Sequence, residues 1–191
     1  MVYGEAVTLP TPENYTPLQP LSPYGVTKLA SEYYLNFYYR TYNISYLALR
    51  YANVYGPRQN PHGEAGVVAI FSKKLLKGNV PTINGDGRQT RDYIFVGDVA
   101  EINKIALSSN SVGSYNIGTG IETNVLGVFE KLRSVVHSSI EAQYGSAKKG
   151  EQKRSCLDCN SAFEKLNWKA KTMLEEGFSK TVAYFKNEGK K

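Results

Sequence analysis

Residues 22–39, SPYGVTKLASEYYLNFYY, set the architecture of the chain because they mark the change from a proline-rich loop to a helix. Five of the eight prolines lie between residues 5 and 23, which predicts an irregular segment crossing a surface. From residue 24 to about residue 42, apolar and aromatic side chains recur every three or four positions, the period of a helix. The following stretch ISYLALRYANVYG, residues 44–56, predicts a buried strand that ends in a loop.

The rest of the chain alternates between the two kinds of element. Asp98 and Thr172 each precede a glutamate by three positions, which is the spacing of a helix capping box. Strands that alternate with helices favour an α/β fold with a largely parallel sheet. We predict helices over residues 66–76, 98–107, 123–137, 158–166 and 172–186, and strands over residues 82–84, 114–117 and 140–144.

Composition excludes several classes of protein. With 191 residues, of which 41% are hydrophobic, the chain can bury a core as a single domain. It has no run of about 18 apolar residues and no basic, apolar leader, so we expect no membrane span and a cytoplasmic location. The net charge of +6 favours an anionic partner, which could be nucleic acid, a phosphorylated small molecule or none in particular.

The two cysteines, Cys156 and Cys159, form a single C-x-x-C pair. Two thiols cannot build the disulfide framework of a small secreted protein, which agrees with a reducing compartment. A zinc site needs about four ligands, and His62 and His137 lie far away in sequence. We therefore expect structural cysteines at a junction between a strand and a helix, and no metal site.

Tyr24 and Lys28 are four residues apart in the predicted helix, so their side chains share a face. A phenol is a poor base at neutral pH, but a nearby fixed cation favours the phenolate and lowers the phenol pKa. The pair is therefore a candidate proton shuttle. The same spacing arises by chance on any helix, so spacing alone leaves the role open.

Several longer motifs follow one another along the chain: SPYGVTKLASE, LRYANVYGPRQ, GDGRQTRDYIFVGDVA, YNIGTG and GEQKRSCLDCNSAFEKLNW. Together they resemble the extended short-chain dehydrogenase/reductase family of NAD-dependent epimerases and dehydratases, and within it the UDP-glucose 4-epimerases and their sugar-nucleotide relatives. The resemblance implies the C-terminal, substrate-binding part of an extended Rossmann-type fold with an incomplete parallel sheet. It also implies NAD as cofactor and a UDP-sugar as substrate. Which nucleotide sugar is bound, and whether the reaction is epimerisation or dehydration, stays open.

The resemblance also implies roles for particular residues. Tyr24 matches the catalytic tyrosine, which takes the proton of a sugar hydroxyl, and Lys28 matches the lysine that holds the nicotinamide ribose, so both also contact NAD. The other matched positions are expected to bind the nucleotide sugar: Asn53 and Arg91 at the diphosphate, Gly66 and Val67 at a helix N-terminus facing phosphate, Thr82, Ile83 and Asn84 at the uracil, and Glu151 and Arg154, with Lys148 as a further candidate, at the ribose and phosphate.

Each binding residue has a plainer alternative. Asn53 could cap a loop, and Arg91 could form a structural ion pair with Asp92 or Asp98. The basic loop over residues 148–154 could be bare surface. The glycine cluster GTGIETNVLG, residues 118–127, lacks the spacing of a dinucleotide fingerprint, and we interpret it as a turn before a helix.

Two parts of the family pattern are missing from the sequence. The NAD-binding half with its glycine fingerprint does not precede Tyr24, and no position exists for the Ser or Thr that lies four residues before the tyrosine of VYG, which is Tyr3 here. We therefore expect residues 1–55 to be a remnant of the Rossmann core, residues 56–191 to be mainly nucleotide-sugar-binding, and the chain to be inactive alone.

An incomplete sheet would expose an unpaired edge and an apolar face. We expect that surface to be covered either by a second copy, through the helix over residues 24–42, or by a separate Rossmann-domain chain. The competing hypotheses are a non-catalytic binding protein or truncated gene product, and a nucleic-acid-binding module. The last is disfavoured because the sequence contains no recognisable nucleic-acid motif.

Overall fold

The computed structural model describes residues 1–62, 66–148 and 150–188, which hold six helices and seven strands. In chain order these are α1 Pro23–Tyr42, β1 Leu47–Tyr51, β2 Asn53–Tyr55, α2 Val67–Leu76, β3 Thr82–Asn84, β4 Thr90–Phe95, α3 Val96–Ser108, β5 Gly113–Ile117, β6 Glu122–Asn124, α4 Val125–Val136, β7 Gln143–Gly145, α5 Asn160–Leu166 and α6 Leu174–Glu188. None of these helices is both long and apolar enough to cross a membrane.

Helix α1 begins and ends on local signals in the sequence. The Ser22 side chain accepts a hydrogen bond from the Gly25 N–H at 3.1 Å, and Pro23 occupies the first turn, where its missing N–H costs nothing. At the other end Asn43 adopts a left-handed conformation with φ of 56° and donates its N–H to the Tyr39 carbonyl. The predicted helix over residues 24–42 is confirmed.

The strands form three small sheets. In the first, β1 runs parallel to β5, with Leu47 opposite Gly113. In the second, β4 lies between the parallel β2 and the antiparallel β6, and in the third β3 is parallel to β7. The α/β class is confirmed. Among the described residues, β1 and β5 pair only with each other, so each leaves one edge without a strand.

Several predicted boundaries are wrong. The strand expected over residues 44–56 is two strands separated at Ala52, which turns the chain from the first sheet to the second. Strands β4 and β6 were not predicted, because the polar starts of TRDYIF and ETN hide their pairing with neighbours. The expected strand over residues 140–144 shrinks to β7, which begins only at Gln143.

Two clusters of apolar side chains make up most of the core. The larger cluster packs α2, α4 and α6 over β3 and β4, and Phe71 meets Phe129 there edge to face at 5.9 Å between ring centres. The second cluster joins β4 and β5 to α3 and α5, with Ile102 and Trp168 buried in it. These clusters hold the elements whose ends carry the polar residues described below.

Asp98 does not cap helix α3, contrary to the capping-box prediction. The helix starts at Val96, which places Asp98 in its first turn, buried. The Asp98 carboxylate instead accepts hydrogen bonds from the N–H groups of Lys171 and Thr172, at 3.3 and 3.0 Å, and from the Thr172 hydroxyl at 3.2 Å. Asp98 therefore fixes the segment that leads into α6, which itself begins at Leu174.

Candidate functional site

The first turns of α1 present a phenol and an ammonium group together. Tyr24 is 58% exposed. The Lys28 Nζ lies 5.3 Å from the centre of the Tyr24 ring, so the two side chains share one face of the helix as predicted. Both groups are therefore open to a ligand that approaches this end of α1.

Arg91 lies on β4 with its side chain largely enclosed. Its Nη1 donates to the Thr90 carbonyl at 2.7 Å, and its Nη2 donates to Glu151 Oε1 at 3.4 Å. The Arg91 side chain is only 14% exposed. The alternative ion pair of Arg91 with Asp92 or Asp98 is not formed, because each of those carboxylates accepts other donors.

Asp92 organises the loop that follows β5. One carboxylate oxygen accepts from the Thr119 N–H at 2.9 Å and the Thr119 hydroxyl at 2.6 Å. The other accepts from the Gly120 N–H at 3.0 Å and the Leu157 N–H at 3.4 Å. Burial raises the pKa of Asp92 above its usual range, and these donors oppose that rise. The cluster over residues 118–120 is thus a turn held by Asp92, and no local pattern in the sequence signals this contact.

A cleft of about 550 Å³ opens between the end of β3 and the loop over residues 147–154. It brings together four of the predicted residues, Asn84, Lys148, Glu151 and Arg154, and adds Asp86, Arg88, Gln89 and Lys153 among its walls. A larger cleft of about 690 Å³ lies beside α5 and the start of α6, and it includes none of the predicted site residues. The smaller cleft is the candidate anion site because it holds predicted site residues, four basic side chains line it, and Glu151 in its wall contacts Arg91.

Arg154 is tied down at the rim of this cleft. Its Nε and Nη2 donate to the two carboxylate oxygens of Glu122 at 3.0 and 2.5 Å. The Thr90 hydroxyl donates to the same carboxylate at 2.5 Å. The hydrogen bonds from Arg154 hold the pKa of Glu122 below its usual range. The basic loop is therefore attached to the second sheet by Arg154.

The three residues of β3 can offer mainly their backbone. Ile83 is fully buried, and the Thr82 hydroxyl accepts from the Gln143 side chain at 2.9 Å. The Asn84 carbonyl accepts from the Gln89 side chain at 3.1 Å. Because β3 pairs only with β7 among the described strands, its other edge leaves main-chain groups that can meet a ligand.

The remaining predicted positions lie at the starts of two elements. Asn53 begins β2 opposite Tyr93 and is exposed. Gly66 precedes α2, which begins at Val67, and a Cβ on Gly66 would lie 2.7 Å from the Gln59 side-chain nitrogen. Among the described residues no side chain caps the start of α2, and a helix N-terminus favours an anion. Residues 63–65, just before this helix, lie outside the described residues.

The two cysteines behave as structural residues. Cys159 directly precedes α5, and Cys156 is buried beside the bridge between Thr11 and Leu157. Both thiols are free, and burial raises the pKa of Cys156 to about 12. Across the described ranges, no three His, Cys, Asp or Glu side chains gather in a way that could hold a metal ion.

Comparison with known proteins gives consistent matches along the chain. The family model described as GDP-mannose 4,6 dehydratase matches residues 1–181. A UDP-glucose 4-epimerase of Mycolicibacterium smegmatis is 43% identical over 188 residues, which cover 98% of this chain and 60% of that protein.

Two solved structures show the same architecture. The UDP-glucose 4-epimerase of Thermotoga maritima, solved with UDP-glucose, has a TM-score of 0.95 and 46% identity over 97% of this chain and 60% of its own. The UDP-glucose 4-epimerase of Thermus thermophilus, solved with NAD, has a TM-score of 0.85 and 39% identity over 96% of this chain and 60% of its own. The chain thus spans about three fifths of the length of these relatives.

Proposed function

This chain belongs to the extended short-chain dehydrogenase/reductase family of NAD-dependent epimerases and dehydratases, and we propose that it forms the UDP-sugar-binding part of a UDP-sugar 4-epimerase. The observation that carries the proposal is the largely enclosed Arg91, whose guanidinium donates to the Thr90 carbonyl at 2.7 Å and has a long contact of 3.4 Å to its one charged partner, Glu151, in the wall of a basic cleft. A diphosphate offers that guanidinium a stronger, two-oxygen partner.

The proposed binding roles are those that the family resemblance implies. Arg91 and Asn53 meet the diphosphate, and the amides at the start of α2, beside Gly66 and Val67, face phosphate oxygens. The main chain of Thr82–Asn84 meets the uracil. Glu151 accepts from ribose hydroxyls, while Lys148 and Arg154 add positive charge at the rim of the cleft.

The chemical role belongs to the exposed pair on α1. Tyr24 removes the proton from O4 of the sugar and returns it to that oxygen at the end of the reaction. The Lys28 ammonium, 5.3 Å from the centre of the Tyr24 ring, can donate to ribose hydroxyls of a nicotinamide cofactor, so the pair fits that end of NAD. When bound, NAD would supply the group that accepts hydride from C4 and gives it back.

We propose that these 191 residues, tested alone, bind the nucleotide sugar without turning it over, because their sequence contains no glycine fingerprint for the cofactor pyrophosphate. The complementary surface would come from a separate Rossmann-domain chain or from a second copy packed on α1. The exposed rings of Tyr33, Tyr34, Phe37 and Tyr38 on α1 and the open edge of β1 support such a covered surface.

Calorimetry with UDP and UDP-glucose tests the binding site. The variant Arg91→Ala is expected to weaken binding roughly 10-fold to 100-fold, the loss of about 1.5–3 kcal/mol for hydrogen bonds to a charged group. The control Arg40→Ala removes an exposed arginine from the last turn of α1 and leaves affinity unchanged. Equal affinity in wild type and Arg91→Ala would show that the diphosphate does not bind at Arg91.

A turnover assay tests the second part of the proposal. The purified chain is incubated with NAD and UDP-galactose, and UDP-glucose is measured. We expect binding without product. Product formed by this chain with no other protein present would contradict the proposal that it needs a complementary surface.

A further inference from the structure

Helix α1 is held on the body of the protein by few buried contacts. Of its twenty residues, Gly25 alone is buried. Helices in globular proteins normally gain their stability and their orientation from a packed apolar face. Leu29 packs against the small cluster of Val2, Tyr3 and Leu157, but most of α1 has no packed apolar face on this chain, so polar contacts gain weight in setting its direction.

A largely enclosed ion pair anchors the middle of the helix. The Arg50 Nε and Nη2 donate to the two carboxylate oxygens of Glu32 at 2.9 and 2.6 Å. The Ser114 hydroxyl adds a third hydrogen bond to Glu32 at 3.0 Å. The side chains of Arg50 and Glu32 are only 11% and 15% exposed. A two-oxygen contact of this kind fixes an angle as well as a distance, which an apolar contact does not.

The arginine is itself immobilised from the other side. Its Nη1 donates to the Tyr3 hydroxyl at 2.7 Å and to the Glu13 carbonyl at 3.2 Å. The Tyr3 hydroxyl in turn donates to Asn116 Oδ1 at 2.7 Å, and Asn116 is fully buried on β5. The anchor therefore connects α1 to β1, β5 and the N-terminal segment.

We propose that Glu32 and Arg50 are positioning residues that set the rotation and the height of α1, and through it the places of Tyr24 and Lys28. The three α1 residues follow at steps of four along the helix, so they lie on one side of it, and Glu32 is about 12 Å from Tyr24 along the axis. Because the helix is rigid, the orientation fixed at Glu32 also fixes the orientation of the first turns, where Tyr24 and Lys28 lie. The proposal rests on the proposed function for the roles of Tyr24 and Lys28.

Hydrogen exchange on the full chain tests the anchor. The variant Glu32→Gln keeps the size of the side chain, and Arg50→Lys keeps its positive charge, but each loses the two-oxygen contact. We expect exchange of the α1 amides to rise at least tenfold, while amides of α2 and α4 change less than twofold. Glu176→Gln is the matched control, because its exposed pair with Lys180 on α6 leaves α1 untouched. Its α1 exchange is expected to equal that of wild type.

Distance measurements report the orientation directly. Spin labels on Ser31→Cys in α1 and Lys104→Cys in α3, with Cys156 and Cys159 replaced by alanine, give one narrow distance distribution when α1 is fixed. We expect Glu32→Gln to broaden it. The milder Ser114→Ala removes one hydrogen bond and is expected to give a smaller effect in the same helix, which keeps the test informative if Glu32→Gln does not fold.

Two results would overturn the proposal. One is a narrow distribution and unchanged α1 exchange in Glu32→Gln and Arg50→Lys. The other is an equal rise in exchange in all helices, which would make the pair a general contributor to stability. Neither readout uses UDP-glucose or turnover, so a failure of the anchor is distinguishable from a failure of the proposed function.

Discussion

Replacing Asp92 by asparagine should destabilise the chain strongly, although the two side chains have the same shape. Asp92 is 1% exposed, and its two oxygens accept four hydrogen bonds from Thr119, Gly120 and Leu157. The variant Asp92→Asn keeps one acceptor oxygen and replaces the other with an NH₂ donor. Two of the four hydrogen-bond donors must then face this NH₂ group, which cannot accept a hydrogen bond.

The magnitude follows from which donors lose their partner. The better orientation keeps the oxygen on the two shorter contacts to Thr119, at 2.6 and 2.9 Å, and turns the NH₂ toward the N–H groups of Gly120 and Leu157. A buried donor without an acceptor costs about 1–3 kcal/mol. The Leu157 contact is long, at 3.4 Å, so its loss counts for less. We expect a total loss of about 2–4 kcal/mol in the free energy of unfolding.

Urea denaturation followed by circular dichroism measures this loss. The midpoint should fall while the slope with denaturant stays constant, which shows that the native state has not expanded. Asp86→Asn is the control, because the Asp86 side chain is 71% exposed and its replacement should change stability by less than about 0.5 kcal/mol. If Asp92→Asn is as stable as that control, the four hydrogen bonds do not hold the loop over residues 118–120.

Three further predictions concern other buried or paired groups. Gly177→Ala should lower the free energy of unfolding by about 1–3 kcal/mol, measured by urea denaturation, because the added Cβ would lie 2.0 Å from the Tyr55 hydroxyl. This loss outweighs the better helix propensity of alanine, and a variant as stable as wild type would contradict this packing. The Glu122 pKa, measured by NMR, should lie below its ordinary value of 4.5 and return toward it in Arg154→Gln. The stabilising contribution of Glu122 is thus present above about pH 4.5 and is lost as the pH falls through the pKa of Glu122 in the folded protein. An unchanged Glu122 pKa in Arg154→Gln would refute the pairing. Cys156, buried and with its pKa raised to about 12, should react with iodoacetamide at pH 8 only in urea, whereas rapid labelling of native protein would show an accessible thiolate.

Helices were easier to predict from the sequence than strands, for a physical reason. Helix α1 carries its own start and stop signals in Ser22, Pro23 and Asn43, all within the segment itself. Strands β4 and β6 are stabilised by partners more than 25 residues away, and their own residues include charged side chains that suggest a loop. Local patterns therefore report α1 directly and say little about β4.

The features of the candidate site also differ in whether the local sequence could predict them. The placement of Tyr24 and Lys28 on one face was predictable, because a helix repeats at a known angle. The cleft that joins Asn84 to Arg154 was reached through family resemblance, because nothing local relates residues 70 positions apart. The anchor of Glu32 on Arg50 was missed altogether, since a charged residue on an exposed helix normally indicates a solvated face.

The geometry of one strand explains why the sequence left Arg91 ambiguous. Arg91 and Asp92 are adjacent and oppositely charged, which suggests that they neutralise each other. Successive side chains of a strand point to opposite faces, so neighbours in β4 cannot pair. Arg91 turns toward Glu151 and the basic cleft, whereas Asp92 turns toward Thr119 on the other side. The buried carboxylate thereby fixes the backbone that carries the arginine without pairing with it, and the charged partner of the guanidinium is Glu151 instead.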